Sequence, residues 1–247
     1  MLPRLWIAYD FVSITECLRT LDAVLVRHPD GNIIHEIGRP TIMNAALVGV
    51  PIVAEFRARL CNGQLLVADF KGYDVPYSAE GRYYYAAGTD MITVMATAPD
   101  EAIQEAIDGA RDEHKLVAFD LMSHHDEKSK AKRATALVGM GAELIGCHTG
   151  WNEQAVGKKP DALLDHVHHA LRHSSARIIA MGGLTPDSVP RLRPYAEDGK
   201  LFAVVAGSAI THSDNPHATI DKFLKEIAKL PSVPAARDTP TLVTQSP

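Results

Sequence analysis

Eight short, β-rich apolar runs recur along the chain, at 5–9, 32–37, 64–68, 90–95, 115–119, 143–147, 176–180 and 201–206. Between them lie stretches with apolar residues three and four apart, as in 99–111, 127–140 and 162–172, the spacing of helices that bury one face. Thr185-Pro186-Asp187 reads as another helix start, with proline at the first helical position. Runs such as Phe202-Ala-Val-Val-Ala206 are apolar almost throughout, which suits a parallel sheet covered on both faces. Eight such units predict a single-domain α/β fold, a closed (β/α)8 TIM barrel, with an open doubly wound sheet as the alternative.

At 247 residues and 46% hydrophobic, the chain is long enough for that core. Pro51 interrupts the apolar stretch 42–53 and is expected to split two helices in a small insertion over 40–60. The barrel is expected to span 1–230; residues 231–247, rich in proline, serine and threonine and without a period, read as a mobile C-terminal tail. A net charge of −5 offers no basic field for nucleic acid or an anionic membrane. No apolar run is long enough for a membrane span, and no basic-then-apolar leader opens the chain. Cys17, Cys61 and Cys147 are odd in number and lack metal-ligand spacing, so they read as reduced thiols. These features together point to a cytoplasmic enzyme.

In a parallel barrel the reacting groups stand at the C-terminal ends of the strands, so the residues at the end of each run are informative. Asp10 comes after the first run, Glu36 closes the second, and Asp69, Lys71 and Asp74 come after the third. Asp120 succeeds the fifth and His148 the sixth, while the last two lead into Gly182-Gly183 and Gly207-Ser208. Scattered surface caps would not gather Asp10, Glu36, Asp69 and Asp120 with a lysine and an imidazole at one end. The glycine pairs suit either tight turns or backbone N–H groups that cradle a phosphate.

Glu36 and Asp69 can supply hard oxygen ligands for magnesium, with Asp10 behind them; the alternative is that both carboxylates simply pair with Lys71. Strand alternation would put Asp69 and Lys71 on one face. Flanking carboxylates favour an ammonium at Lys71 over a Schiff-base amine. His148 reads as a general base or acid, or else as a core histidine. His124 and His125 are expected in a loop near the mouth, and His166, His168, His169 and His173 on a solvated helix face whose spacing lacks acidic partners for a convincing metal site.

The pattern Asp69-x-Lys71-x-x-Asp74, with Asp10, Glu36-Ile-Gly38, Val117-Ala-Phe-Asp-Leu121 and Cys147-His-Thr-Gly-Trp-Asn-Glu-Gln-Ala155, resembles the orotidine 5′-phosphate decarboxylase suprafamily from about residue 5 to 228. Within it the 3-hexulose-6-phosphate synthases are the branch it resembles most. That resemblance implies a homodimeric barrel that makes a magnesium-stabilised enediolate from ribulose 5-phosphate and adds it reversibly to formaldehyde. Carried over by position, Glu36 and Asp69 would bind magnesium, His148 would take the C1 proton and Lys71 would stabilise the enediolate. Asp120 would position substrate or relay a proton, and Asp74 would act in the partner subunit's site. The backbone around Gly182, Gly183, Gly207 and Ser208 would hold the phosphate, and Asp10 would contact substrate.

Some segments side with other branches. Residues 52–57 and 74–76 and Met122-Ser123-His124 look more like the orotidine 5′-phosphate decarboxylases, which however carry lysine where Glu36 stands and arginine where Ser208 stands. The 3-keto-L-gulonate 6-phosphate decarboxylases share Glu36, Asp69, Lys71, Asp74 and His148 but have glutamate at the Asp120 position. A sugar-phosphate decarboxylase is therefore the alternative activity, and a phosphate-binding scaffold the alternative without catalysis.

Overall fold

The computed structural model describes residues 2–29, 32–61, 63–123 and 125–232. The segment 233–247 and His124 lie outside the described residues, and with them most of the expected tail. Every apolar run forms a strand: β1 (Arg4–Tyr9), β2 (Ile33–Ile37), β3 (Leu65–Gly72), β4 (Met91–Met95), β5 (Leu116–Asp120), β6 (Leu144–His148), β7 (Arg177–Met181) and β8 (Leu201–Ala206). All neighbours pair in parallel and β8 closes on β1, so the sheet is a barrel and not the open alternative.

Several strands run one residue further than the apolar pattern. Asp120 pairs with Gly146, and His148 with Met181, so both polar side chains stand on the last rung of the ladder. That placement makes them rigid without a loop. In β3 the departure is larger: the strand continues to Gly72, with a register shift against β4 between Ala68 and Gly72. Lys71 sits within that irregularity at φ 53°, a left-handed conformation that an unbranched lysine adopts only at some cost. Simple alternation therefore does not describe this segment.

Inside the barrel Trp6, Ile34, Val67, Met91, Leu144 and Ile179 belong to one apolar cluster. A second, larger core fills the layer between the strands and the surrounding helices. The first of these are α1 (Ile14–Arg27), α2 (Arg39–Val48) and α3 (Ile52–Arg57), the last two separated at Pro51 as expected. A π-helical turn over Pro76–Gly81 leads into α4 (Arg82–Ala86), and α5 (Asp100–Asp112) and α6 (Glu127–Gly139) follow their strands. After β6 come α7 (Trp151–Ala155) and α8 (Asp161–Leu171).

The start at Pro186 is right, but the segment Pro186–Leu192 is a 3-10 helix before α9 (Arg193–Glu197). There the Ser188 hydroxyl accepts from Thr185 N at 2.9 Å. The chain continues through α10 (Ser208–Thr211) and α11 (Pro216–Ile227). Of the α8 histidines, His168 lies 2.6 Å from Asp198, just past α9, and among the described residues no metal-ligating group forms there. Among the described residues no helix is long and apolar enough to cross a membrane.

Candidate active site

A cavity of about 480 Å³ opens at the C-terminal end of the barrel. Asp10, Glu36, Asp69, Lys71, Asp120 and His148 all line it, as do Gly182, Gly183, Gly207 and Ser208. Of the catalytic, substrate-binding and metal residues expected from the sequence, Asp74 is the one outside this lining; it is exposed beyond the end of β3. The barrel therefore gathers into one space groups up to 198 positions apart (10 to 208) in the chain.

Its centre is a linked set of charges. Lys71 Nζ donates to Asp69 Oδ1 at 2.8 Å and to Asp120 Oδ2 at 2.9 Å, and His148 Nδ1 lies 2.8 Å from the same Asp120 oxygen. The Thr93 hydroxyl donates to Asp69 at 2.7 Å and accepts from Lys71 N at 3.1 Å, which ties the irregular part of β3 to β4. The Met122 amide donates to the second Asp120 oxygen at 2.8 Å.

Burial opposes the charge on Asp120, but His148 and Lys71 outweigh it and hold the carboxyl below its usual range. Burial likewise disfavours the Lys71 ammonium, and Asp120, Asp69 and Glu36 reverse that and raise its pKa. The lysine is thus a firm cation, unsuited to Schiff-base chemistry. Because the Asp120 carboxylate can only accept, His148 carries its proton on Nδ1 and leaves Nε2 as the basic nitrogen.

Glu36 differs. Burial, then the neighbouring Asp69 and Asp10 charges, push its carboxyl well above the ordinary range, against Lys71 and a hydrogen bond from Trp6 Nε1. One ammonium that already serves Asp69 and Asp120 does not balance this surplus of anionic oxygen. Asp69 pairs with Lys71, as the alternative reading expected, while Glu36 does not; these two carboxylates are the residues that could hold a hard divalent cation. Among the described residues no three His, Cys, Asp or Glu side chains converge on a ligand geometry. Two carboxylates with water and substrate oxygens suit magnesium, which keeps several waters.

The mouth is shaped by backbone. Gly182 has φ 102°, and a Cβ there would lie 2.3 Å from Thr149 O. Gly182→Ala is therefore expected to lower stability by on the order of 1–3 kcal/mol and to raise KM, checked by thermal unfolding and steady-state kinetics. A Cβ on Gly38 would fall 2.1 Å from Asp10 Oδ1, so β2's exit presses directly on that carboxylate. Beyond β6, Glu153 accepts from Gly150 N at 3.0 Å and from the buried Lys130 at 3.0 Å, which fixes the start of α7.

Sequence reasoning missed Trp6, Thr93, Arg39, Gln154 and His212, all of which line the cavity. Thr93 was detectable as the polar residue in an otherwise apolar β4, and Trp6 as an inward position of β1. Arg39 and His212 lie in segments whose direction depends on the fold, and carried no such signal.

The family model for the orotidine 5′-phosphate decarboxylase / HUMPS family matches residues 3–223. A 3-hexulose-6-phosphate synthase of Staphylococcus epidermidis is 32% identical over 182 residues, covering 73% of this chain and 80% of that protein. A 3-hexulose-6-phosphate synthase of Bacillus subtilis is 28% identical over 228 residues, 92% of this chain and 99% of its own length. Among solved structures, a 3-hexulose-6-phosphate synthase from Salmonella typhimurium superposes with a TM-score of 0.72 at 26% identity, covering 91% of this chain and 98% of that one.

Proposed function

The chain belongs to the orotidine 5′-phosphate decarboxylase / HUMPS family, and from that premise we propose that it is an aldehyde-lyase joining formaldehyde and D-ribulose 5-phosphate, reversibly, through an enediolate. The observation that carries this reading is the chain Lys71–Asp120–His148 on the wall of the cavity, a fixed cation and an oriented base held by one carboxylate. His148 Nε2 removes the C1 proton of the bound ketose phosphate, and Asp120 stabilises the imidazolium that results. The Lys71 ammonium faces the developing negative oxygen. The electron pair at C1 then forms the new bond to the formaldehyde carbon, and the alkoxide produced takes back the proton from His148. Magnesium, held by Glu36 and Asp69, would supply a Lewis acid for the substrate oxygens. The phosphate rests against the backbone at Gly182, Gly183, Gly207 and Ser208, with Asp10 near the sugar.

The exposed Asp74 has no role within its own cavity, which supports a homodimer in which it completes the partner subunit's site. Light scattering at assay concentration is expected to give twice the chain mass.

The decisive assay incubates the protein with ribulose 5-phosphate and formaldehyde, with magnesium or with chelator, and follows formaldehyde loss and hexulose phosphate formation. Metal-dependent loss of formaldehyde is expected. No loss, together with carbon dioxide release from 3-keto-L-gulonate 6-phosphate or orotidine 5′-phosphate, would instead assign a decarboxylase. Magnesium is also expected to raise the thermal midpoint of the wild type and not that of Glu36→Gln. An equal rise in both would remove Glu36 from the ligand set.

A further inference from the structure

The opposite, N-terminal mouth of the barrel carries a second charged feature that the reaction does not use. Arg4 is the first residue of β1 and Arg177 the first of β7. Two residues further along, Trp6 and Ile179 both belong to the cluster inside the barrel, so the strand period turns Arg4 and Arg177 inward beneath them. Strands of equal parity contribute to the same layer of a barrel interior, which puts the two arginines in one layer. The Arg177 guanidinium lies over the Phe202 ring, 4.5 Å from its centre, and Phe202 is part of that same cluster.

Neither guanidinium has an ion-pair or hydrogen-bond partner among the described residues, and Arg4 Nη1 is buried with no acceptor. The charges that act on Arg177 are Arg4, of like sign, and Glu143, of opposite sign. Burial and then the Arg4 charge disfavour the Arg177 cation, with Glu143 opposing them. Guanidinium does not give up its proton under ordinary conditions, so this repulsion is not relieved by titration. A buried donor without an acceptor carries an unreturned desolvation cost, and a pair of forked cations matches a small anion held between them.

We propose that one small inorganic anion, of the halide or phosphate class, binds between Arg4 and Arg177 and closes the floor of the barrel. The site is separated from the catalytic mouth by the filled interior, so the anion acts on stability and leaves turnover unchanged.

The test uses the full chain crystallised with sodium bromide, together with thermal unfolding in bromide against gluconate at equal ionic strength. An anomalous peak between Arg4 and Arg177 is expected, with a bromide-specific rise in midpoint of about 3 °C near ten times Kd. Arg177→Met should lose both while keeping turnover, and Arg4→Met provides the same comparison if that variant fails to fold. Water alone at the position, or a carboxylate from this chain or a second copy, would overturn the proposal. So would a peak with no difference in bromide response between wild type and variants, which marks an adventitious ion only.

Discussion

Replacing Lys71 by methionine is expected to lower turnover by about 10³-fold or more, because its ammonium bonds to both Asp69 and Asp120. Methionine keeps much of the volume and removes the charge. Asp120, which is 3% exposed, then keeps only His148 of the two groups that hold it ionised. Breaking a buried pair by deleting one partner typically costs about 3–5 kcal/mol, an upper figure here because the carboxyl can take a proton instead. The sign is set by the lowered pKa of Asp120 in the folded state. Its contribution to stability is present above the ordinary aspartate range and is lost as pH falls through the folded-state value, so the wild type should exceed Lys71→Met most at neutral pH. Urea unfolding at pH 7 and at about pH 2.5, which lies between the ordinary aspartate range and the folded-state value, measures the difference. A variant equally stable at pH 7 and retaining even a tenth of the turnover would show that Lys71 is not the centre of the site.

His148→Asn is expected to lower turnover by about 10²–10⁴-fold while leaving the fold and the magnesium-dependent thermal shift intact. Asparagine at this last rung of β6 can still meet Asp120, but it has no basic nitrogen. The informative readout is exchange of the C1 hydrogen of ribulose 5-phosphate with deuterated solvent, in the absence of formaldehyde. Wild type should exchange and His148→Asn should not. Undiminished exchange in the variant would move the base elsewhere, and loss of both exchange and the magnesium response would point to a disturbed site rather than a missing base.

Both expectations rest on residues that were legible in one dimension, and the reason is the fold's own regularity. A parallel strand buried on both faces is apolar throughout, so the first polar residue after it marks the strand's C-terminal end, and Glu36, Asp69, Asp120 and His148 stood out in this way. Arg39 and His212 did not stand out, because each lies past its strand at a distance where loop direction decides which side chains face the cavity. The irregularity of β3 was hidden for another reason. Asp69 and Lys71 obey the alternation of an ideal strand on paper, whereas their meeting depends on the left-handed Lys71 and on Thr93 from β4.

The periodicity of eight apolar runs and intervening helices determined a parallel α/β fold and the end at which chemistry would gather, because hydrophobic burial acts through local pattern, whereas closure of the sheet into a barrel was decided by the pairing of β8 with β1. The protonation and charge of the site were decided only in three dimensions. Asp120 is held ionised by a histidine 28 positions and a lysine 49 positions away, and Glu36 is pushed toward its neutral form by burial and then by Asp69 on β3 and Asp10 just past β1, the neighbouring strands. Coulomb energies and desolvation depend on distance and burial through space, which a linear spacing does not encode.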